Sequence, residues 1–449
     1  MSSAHDQTVL SLAQKIKNHA GPIALHGSKS HNTTRSKAYK HSLPKLDFSS
    51  LNHVLHVDQE NQIAHVEPRV TMEQLVKESL KKGLFPPVVP EFKGITVGGA
   101  LMGGSGESGS HLFGLFNDLC TEIEILNGAG DVVTITPETD PELFYGLPGT
   151  YGALGALVSA KIKLIPAKRS VHLKYHHLPP EEMLEKMKTL HCDFIDGLVF
   201  SKTSAVVIEG NLSDMKPGRL GSWYYLQAQK QKEEFLPLQD YLFRYDQGAF
   251  WMGRYLMKLG VLTKFLLEGV WRWKKPSGIR RYHHLTPPSS FWSKVLSPWL
   301  GSQTLWKLQH LAEKWVQDRF MVQDFCVPEK NASLFLKEVL ENPGVFPLWV
   351  CPVKGSSAPQ HFSPHLGEVR FYNIGVYGIP ALPGTLEEIT RALESKTKKM
   401  GGRKVLYSRS YYTEEEFWKI YPQDIYKRLR KKMKAEGVWQ DMTEKVLSE

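Results

Sequence analysis

The segment Phe85–Glu91, FPPVVPE, and the nearby segment Thr96–Gly114, TVGGALMGGSGESGSHLFG, decide how the rest of the chain is read. Gly98, Gly99, Gly103, Gly104, Gly106 and Gly109 crowd the second segment, while Ser105, Ser108, Ser110 and His111 offer hydrogen-bonding side chains. Glycines at this density let the backbone approach a partner closely, and consecutive amides can turn inward as donors to an anion such as a pyrophosphate. Gly104, Gly106 and Gly109 also spell G-x-G-x-x-G. A Rossmann turn needs a strand before that motif and a helix after it. The preceding ITVGGALMG is too rich in glycine for a central strand, so the Rossmann reading is rejected. The remaining alternative to a phosphate cradle is a glycine-rich surface loop that holds no ligand.

At 449 residues the chain is long for one core, and two domains are expected. Its content of 41% hydrophobic and 23% charged residues suits a soluble globular protein. Cys120, Cys192, Cys326 and Cys351 lie far apart, with neither a C-x-x-C nor a metal-ligand spacing, so reduced thiols and no metal are expected. The start, MSSAHDQTVLSLAQKIKNHA, has no apolar core of a signal peptide, and no uncharged apolar run nears the ~20 residues of a membrane-spanning helix. A cytoplasmic protein is therefore expected. The net charge of +10 fits an anionic cofactor, an anionic membrane or nucleic acid. Nucleic acid is disfavoured, because no zinc finger, aromatic RNA platform or basic heptad region is visible.

Periodicity predicts a helix over residues 8–19, a short strand IALH, and then a polar loop, GSKSHNTTRS, holding Lys29 and Arg35 as a second phosphate cradle. HVLHVD and QIAHVEP read as paired strands, and Thr71 with Gln74 as a capping box opening a helix that ends at Gly83. CTEIEIL and VVTIT flank NGAGD as a hairpin with an Asn127-Gly128 turn, and Asp140 caps PELFYG. Val158, Ala160, Ile162 and Leu164 alternate with Ser159, Lys161 and Lys163 as in a half-buried strand. Gly149, Gly152 and Gly155 before it imply close backbone approach, and Pro166 marks a domain edge.

Beyond Lys168 strands are expected at 171–177, 205–209, 346–351 and 369–376, with helices at 181–190, 329–341 and 386–400. This mixture predicts an α+β second domain. After Gly402 come a strand, VLYSRS, a capping box at Thr413 and Glu416, and a basic helix over 424–434. In the stretch 254–275, at about 100° per residue, Arg254, Lys258, Lys264, Glu268, Arg272 and Lys275 fall opposite Tyr255, Leu256, Leu259, Leu262, Leu266, Leu267, Val270 and Trp273. Such a helix suits either a bilayer surface, as a peripheral contact, or a packed core.

In this order, the first 165 or so residues resemble the FAD-binding domain of the vanillyl-alcohol oxidase and p-cresol methylhydroxylase type. HVEPRVTMEQL, VVPEFKGITVGGALMGGSGESGSHLFGLF, LFYGLPGTYGALGALVSAKIKLIPAK, RYDQGAFWM, GVYGIP and TEEEFWKIY are further similar to the delta-24 sterol reductase family. The resemblance runs from about Leu25 to Tyr426 and is strongest over Val66–Lys168. It implies an α+β chain with a two-subdomain FAD-binding domain (1–167), an α+β substrate or cap domain (168–400) and a C-terminal segment (401–449) that closes on the active site.

Carried over residue by residue, the resemblance sets FAD on Thr96, Val97, Gly98, Gly99, Ala100, Leu101, Met102, Gly103, Gly104, Ser105, Gly106, Glu107 and Ser108. Ser110 and His111 add donors. Gly152, Gly155 and Val158 pass the adenine or ribose, and Gly27, Ser28, Lys29 and Ser30 take the far side of the pyrophosphate. It implies reduction of an isolated C=C bond in a sterol or other isoprenoid lipid, with NADPH or NADH as external hydride donor. Animal and plant members carry an N-terminal membrane segment that has no counterpart here. Such a reduction needs a proton donor. The candidates are Tyr245, Asp246, Tyr377 and Tyr411, with Tyr407 and Glu416 nearby in sequence. Relatives that attach FAD covalently do so through a histidine in R-G-x-G-H-[ST]. GSKSHNT lacks that context around His31, so noncovalent FAD is expected. An FAD-dependent alcohol oxidase or dehydrogenase, and a noncatalytic flavin-containing binder of membrane surfaces, are the competing readings.

Overall fold

The computed structural model describes residues 3–26, 43–221, 223–256, 301–302, 318–381 and 383–447. The helix Ala4–Lys17 buries Val9, Leu12, Ala13 and Ile16, the face its period predicts. β1 (Ala24–His26) and β2 (Lys45–Asp47) pair in parallel. β3 (Val54–Asp58), β4 (Ile63–Val66), β6 (Cys120–Leu126), β7 (Val132–Ile135) and β8 (Ala156–Lys163) form a 5-stranded sheet in the order β3-β4-β8-β6-β7, antiparallel throughout. Beside it, β5 (Leu84–Phe85) pairs with β9 (Ile165–Pro166).

Local details depart from expectation for definable reasons. Thr71 caps the helix Met72–Leu80 by accepting from Gln74 N, but the Gln74 side chain donates to Asn52 O at 2.9 Å instead of returning to the cap. The β6–β7 hairpin turns left-handed at Gly130 (φ 72), not at Gly128, because Asn127 Oδ1 accepts from the amides of Ala129 and Asp131. Ser159, expected on a solvent face, is buried on central β8, 2.9 Å from His65 Nε2 and bonded to Glu124.

The first sheet ends at Lys163 and the second begins at Ser170. The second is an 8-stranded sheet of order β13-β10-β12-β11-β15-β16-β14-β17, built from β10 (Ser170–Leu178), β11 (Phe194–Ser201), β12 (Ser204–Ser213), β13 (Glu233–Pro237), β14 (Met321–Pro328), β15 (Leu348–Val353), β16 (Phe371–Gly378) and β17 (Arg403–Lys404). Its neighbours are antiparallel. The chain thus has the α+β architecture read from its sequence. β11 and β14 escaped that reading, because Asp196 and the pair Gln323-Asp324 break their apolar patterns.

One face of this sheet is an apolar layer. Val199, Phe325, Val350, Ile374 and Val376 pack with Met183, Met187, Phe335 and Leu393 of the helices Pro180–Thr189, Glu329–Glu341 and Leu386–Lys399. The two-residue strand period sends alternate residues to the opposite face. Asp324 stands opposite Gly375, and Gly375 opposite Trp349, so these share a face with Asn373, Tyr377 and Cys351. That polar face meets the first module.

The C-terminal stretch shares both modules. VLYSRS is not a strand beyond its neighbour β17, because Ser408 Oγ is drawn to Gln323 Oε1 at 3.0 Å and Lys404 Nζ to Glu394 at 3.0 Å. Thr413 and Glu416 do form a complete capping box on the helix Glu414–Trp418. From the helix Gln423–Lys432, Arg430 donates to Ala153 O at 2.8 Å, while Ile23 bridges to Trp439. The tail therefore locks onto the first module.

Candidate active site

The residues before the G-x-G-x-x-G motif form a helix, Val97–Gly103, and not a strand. Thr96 caps it, its side chain accepting from Gly99 N at 3.2 Å, and Gly104 ends it in the left-handed region at φ 66. Val97, Ala100, Leu101 and Met102 face the core, leaving Gly99 exposed and Thr96 and Gly98 half-exposed. A Cβ placed on each glycine separates two classes. At Gly109 it would lie 2.1 Å from Pro87 O, at Gly155 2.7 Å from Leu126 O, at Gly104 2.7 Å from Pro364, and at Gly98 3.0 Å from Pro68. Those glycines answer to the protein's own packing. At Gly99 the nearest atom is Thr96 Oγ1 at 3.2 Å, and at Gly103 it is Tyr151 at 4.0 Å. At Gly99 only the capping hydroxyl of Thr96 crowds an added Cβ, and at Gly103, itself buried, nothing comes closer than 4.0 Å, so this edge of the helix is less filled by the protein's own packing than the rest.

Further along the segment the side chains turn to the second module. Ser110 Oγ accepts from Glu107 N at 2.9 Å, Ser108 Oγ lies 2.9 Å from Tyr241 OH, and His111 sets its ring nitrogens 2.9 Å from Ser108 O and 2.9 Å from Cys192 O. Burial holds the His111 pKa below the ordinary imidazole range. Glu107 Oε1 pairs with Arg244 Nη2 at 2.8 Å, and Arg244 also reaches Asp196 at 3.0 Å. Ser105 and Gly106 are half-exposed, Gly106 resting on Leu115. Gly152 is left-handed at φ 78 beside Leu25, and Val158 is wholly buried in the first core. Gly27, Ser28, Lys29, Ser30 and His31 lie outside the described residues, as do residues 257–275 of the amphipathic stretch.

The proton-donor candidates fall into two clusters. Tyr245 donates to Asp196 Oδ2 at 2.7 Å and packs against Arg244, whose guanidinium lies 4.6 Å from its ring and 4.2 Å from that of Tyr241. Asp246 Oδ1 accepts from Lys93 N at 2.9 Å and from Ser302 Oγ at 2.6 Å. On the polar sheet face, Tyr377 donates to Asp324 Oδ1 at 2.7 Å and Asn373 Nδ2 to Asp324 Oδ1 at 3.1 Å, while Tyr407 from the C-terminal stretch donates to Asp324 Oδ2 at 2.6 Å. Gly375 makes this possible, since a Cβ there would lie 2.4 Å from the Tyr377 hydroxyl. Tyr411 stands apart, its amide donating to Glu394 at 3.1 Å and its carbonyl accepting from Arg391 at 2.8 Å.

Sequence reasoning missed Asp324 and Glu91. Burial raises the Asp324 pKa against three lowering hydrogen bonds. Burial, followed by the nearby charges of Glu107 and Asp324, pushes the Glu91 carboxyl up to about 8. The signal was present: Glu91 is an acid set into the apolar run FPPVVPEF.

Residues 3–136 match the FAD binding domain family. Across the whole chain, the delta(24)-sterol reductase of Rattus norvegicus is 30% identical over 418 residues, covering 88% of this chain and 76% of the relative. The chain belongs to the delta(24)-sterol reductase family. A delta(24)-sterol reductase homolog of Caenorhabditis elegans is 27% identical, with 92% of this chain and 80% of the relative covered. The decaprenylphosphoryl-beta-D-ribose oxidase of Mycolicibacterium smegmatis is 24% identical over 88% of this chain and 82% of the relative. As a member of the sterol reductase family, the protein is an FAD-dependent oxidoreductase. Among the described residues no helix is long and apolar enough to cross a membrane, and no cluster of His, Cys, Asp or Glu is arranged for a metal. The helix edge at Gly99 and Gly103, little filled by the protein's own packing, fits FAD.

Proposed function

We propose that this protein reduces an isolated carbon–carbon double bond of a sterol or another isoprenoid lipid, with NADPH or NADH as the external donor. The observation that supports this is the cluster around Asp324, which accepts from Tyr377 and Asn373 of the polar sheet face and from Tyr407 of the C-terminal stretch. Bound along that helix, FAD supplies hydride transfer between the donor and the double bond. Thr96, Gly98, Gly99 and Gly103 would hold it through backbone amides and close approach, with Gly27, Ser28, Lys29 and Ser30 as the second side of the pyrophosphate cradle. The chain's own part is to orient the lipid, keep water out and place a proton. The modules divide at 1–167, 168–400 and 401–449 in this reading, with the last closing over the site through Tyr407.

Over the same 88% of the chain the sterol reductase is 30% identical and the ribose oxidase 24%, which favours the reductase over an alcohol oxidase. The decisive experiment mixes the purified protein anaerobically with excess NADPH or NADH. Loss of the visible flavin absorbance, restored by a sterol carrying a C24 double bond, is the expected result. Rapid bleaching by simple alcohols with neither nicotinamide effective would establish the oxidase instead. Firmly bound flavin reduced by no donor would establish a binder. Residues 254–275 are the proposed contact with a membrane surface, and sedimentation with anionic vesicles at low salt tests it.

A further inference from the structure

A cation taken out of water is normally matched by a carboxylate of the protein. Buried Arg244 is matched by Glu107 and Asp196, and buried Lys404 by Glu394. Arg403 of β17 is not. Its Nη1 donates to four carbonyls of a single loop, those of Gln360 at 3.5 Å, His361 at 3.2 Å, Ser363 at 3.0 Å and His365 at 3.4 Å. Nε and Nη2 of the same guanidinium meet no acceptor among the described residues, and Arg403 forms no ion pair there. Burial lowers the Arg403 pKa, and no carboxylate stands close enough to offset it.

The guanidinium is part of the wall of a cavity of about 390 Å³, shared with Gln360, His361, His365, Gly401 and Pro422. His361 is half-exposed, and its ring makes no hydrogen bond among the described residues. Burial is the main cause that lowers its pKa, so the ring is neutral and offers one N–H. The side chain of His365 is wholly buried with Nε2 2.6 Å from Asp118 Oδ2, and its Nδ1 has no partner. Carboxylates near the cavity are already engaged. Asp118 also accepts from Gln360 Nε2 at 2.8 Å and from Leu115 N at 2.7 Å, and Glu142 beside His361 bonds to Arg428.

The cavity therefore gathers the donors for an anion and supplies none. The two N–H groups on one edge of a guanidinium match two oxygens of a single anion. With the His361 ring they make three donors from two side chains. A carboxylate has two oxygens, whereas a phosphate monoester has three terminal ones. The volume also leaves room for the group to which the phosphate is esterified.

We propose that the cavity at Arg403 and His361 binds a phosphate group carried as a monoester or as the free ion. Two sources share this chemistry: a free phosphate compound, and the ribose phosphate by which NADPH differs from NADH. Only the second source rests on the reductase reading, and it would make Arg403 a specificity residue for the donor. Either ligand would bear on the glycine-rich helix through the loop 358–367. A Cβ on Gly104 would lie 2.7 Å from Pro364 of that loop, and Gly149, whose amide donates to Met102 O at 2.8 Å, packs on the Phe362 carbonyl.

The test uses the flavin-loaded full chain. Calorimetric titration with inorganic phosphate, at ionic strength matched with chloride, should show saturable binding in the wild type. His361→Ala breaks no side-chain hydrogen bond among the described residues and should weaken that binding at least about tenfold. Arg403→Lys keeps the charge but loses the fork and should weaken it by about as much. Anaerobic stopped flow then separates the sources. If the site takes the donor, phosphate competes with NADPH and not with NADH, and His361→Ala needs about tenfold more NADPH for half-maximal bleaching with NADH unchanged. If it takes a free phosphate compound, saturating NADPH leaves phosphate binding intact and His361→Ala bleaches like the wild type with either nicotinamide. Absence of saturable phosphate binding from the wild type overturns the proposal, as does binding that His361→Ala keeps within about twofold. If neither nicotinamide bleaches the flavin, the reductase reading fails, while phosphate binding lost in His361→Ala still upholds the site.

Discussion

Glu107 Oε1 lies 2.8 Å from Arg244 Nη2, and this buried pair joins the glycine-rich segment of the first module to the second. Arg244 reaches Asp196 at 3.0 Å on its other side and is 1% exposed, so one guanidinium serves two buried carboxylates. The arrangement is weak evidence for net stability, because desolvating the charges cancels much of their attraction. Removing the cation alone is another matter. Arg244→Met leaves Glu107 and Asp196 facing each other without a counter-charge and should destabilise the protein by about 3–5 kcal/mol, read from the urea midpoint. Glu107→Gln should cost clearly less, since Arg244 keeps Asp196. Equal losses for the two variants would mean that the pair is not the pivot described.

The glycines of the 96–114 segment should separate by phenotype. Gly109→Ala drives a Cβ to 2.1 Å from Pro87 O, a backbone atom that cannot swing away, and should lower expression and melting temperature. Gly99→Asp meets one atom within 4 Å, Thr96 Oγ1 at 3.2 Å, a tight contact with a side chain that a small shift relieves, so the variant should fold. It should nevertheless purify colourless, because a carboxylate would stand against a pyrophosphate. A yellow Gly99→Asp protein would move the cofactor elsewhere.

Much of this was legible in the sequence, for reasons that can be named. The helix faces at Val9, Leu12, Ala13 and Ile16 follow from local periodicity, and the caps at Asp140 and Thr413 from local hydrogen bonding. These need no tertiary information. The committed roles of Glu107, Ser108 and His111 were not legible, because their partners Arg244, Tyr241 and Cys192 lie 137, 133 and 81 positions away. Asp324 was hidden for a similar reason: its meaning comes from standing across the ladder from Gly375 between two tyrosines. Four candidate acids were found by residue type, but what separates a free proton from a committed one is the partner, and the partner is set by the fold.

The flavin should be held without a covalent bond. GSKSHNT lacks the R-G-x-G-H-[ST] setting in which a histidine attacks the flavin, so acid precipitation should leave all the yellow colour in the supernatant. Fluorescence on the denatured band in a gel would show a covalent link.

The carboxyl of Glu91 should leave a signature in the pH dependence of stability. Its pKa is raised from 4.5 to about 8 in the folded chain, burial being the largest cause. Between those values the folded protein binds a proton that the unfolded chain has released. The contribution is therefore whole below about pH 4.5 and is lost as pH rises toward and through about 8. Glu91→Gln has no proton to lose. The variant should match the wild type near pH 5 and exceed it near pH 9 by about 2 kcal/mol, after a discount for the water that reaches a half-buried group. Urea midpoints for the two proteins at matched ionic strength decide it. Parallel pH profiles would mean that Glu91 titrates like an ordinary surface carboxylate.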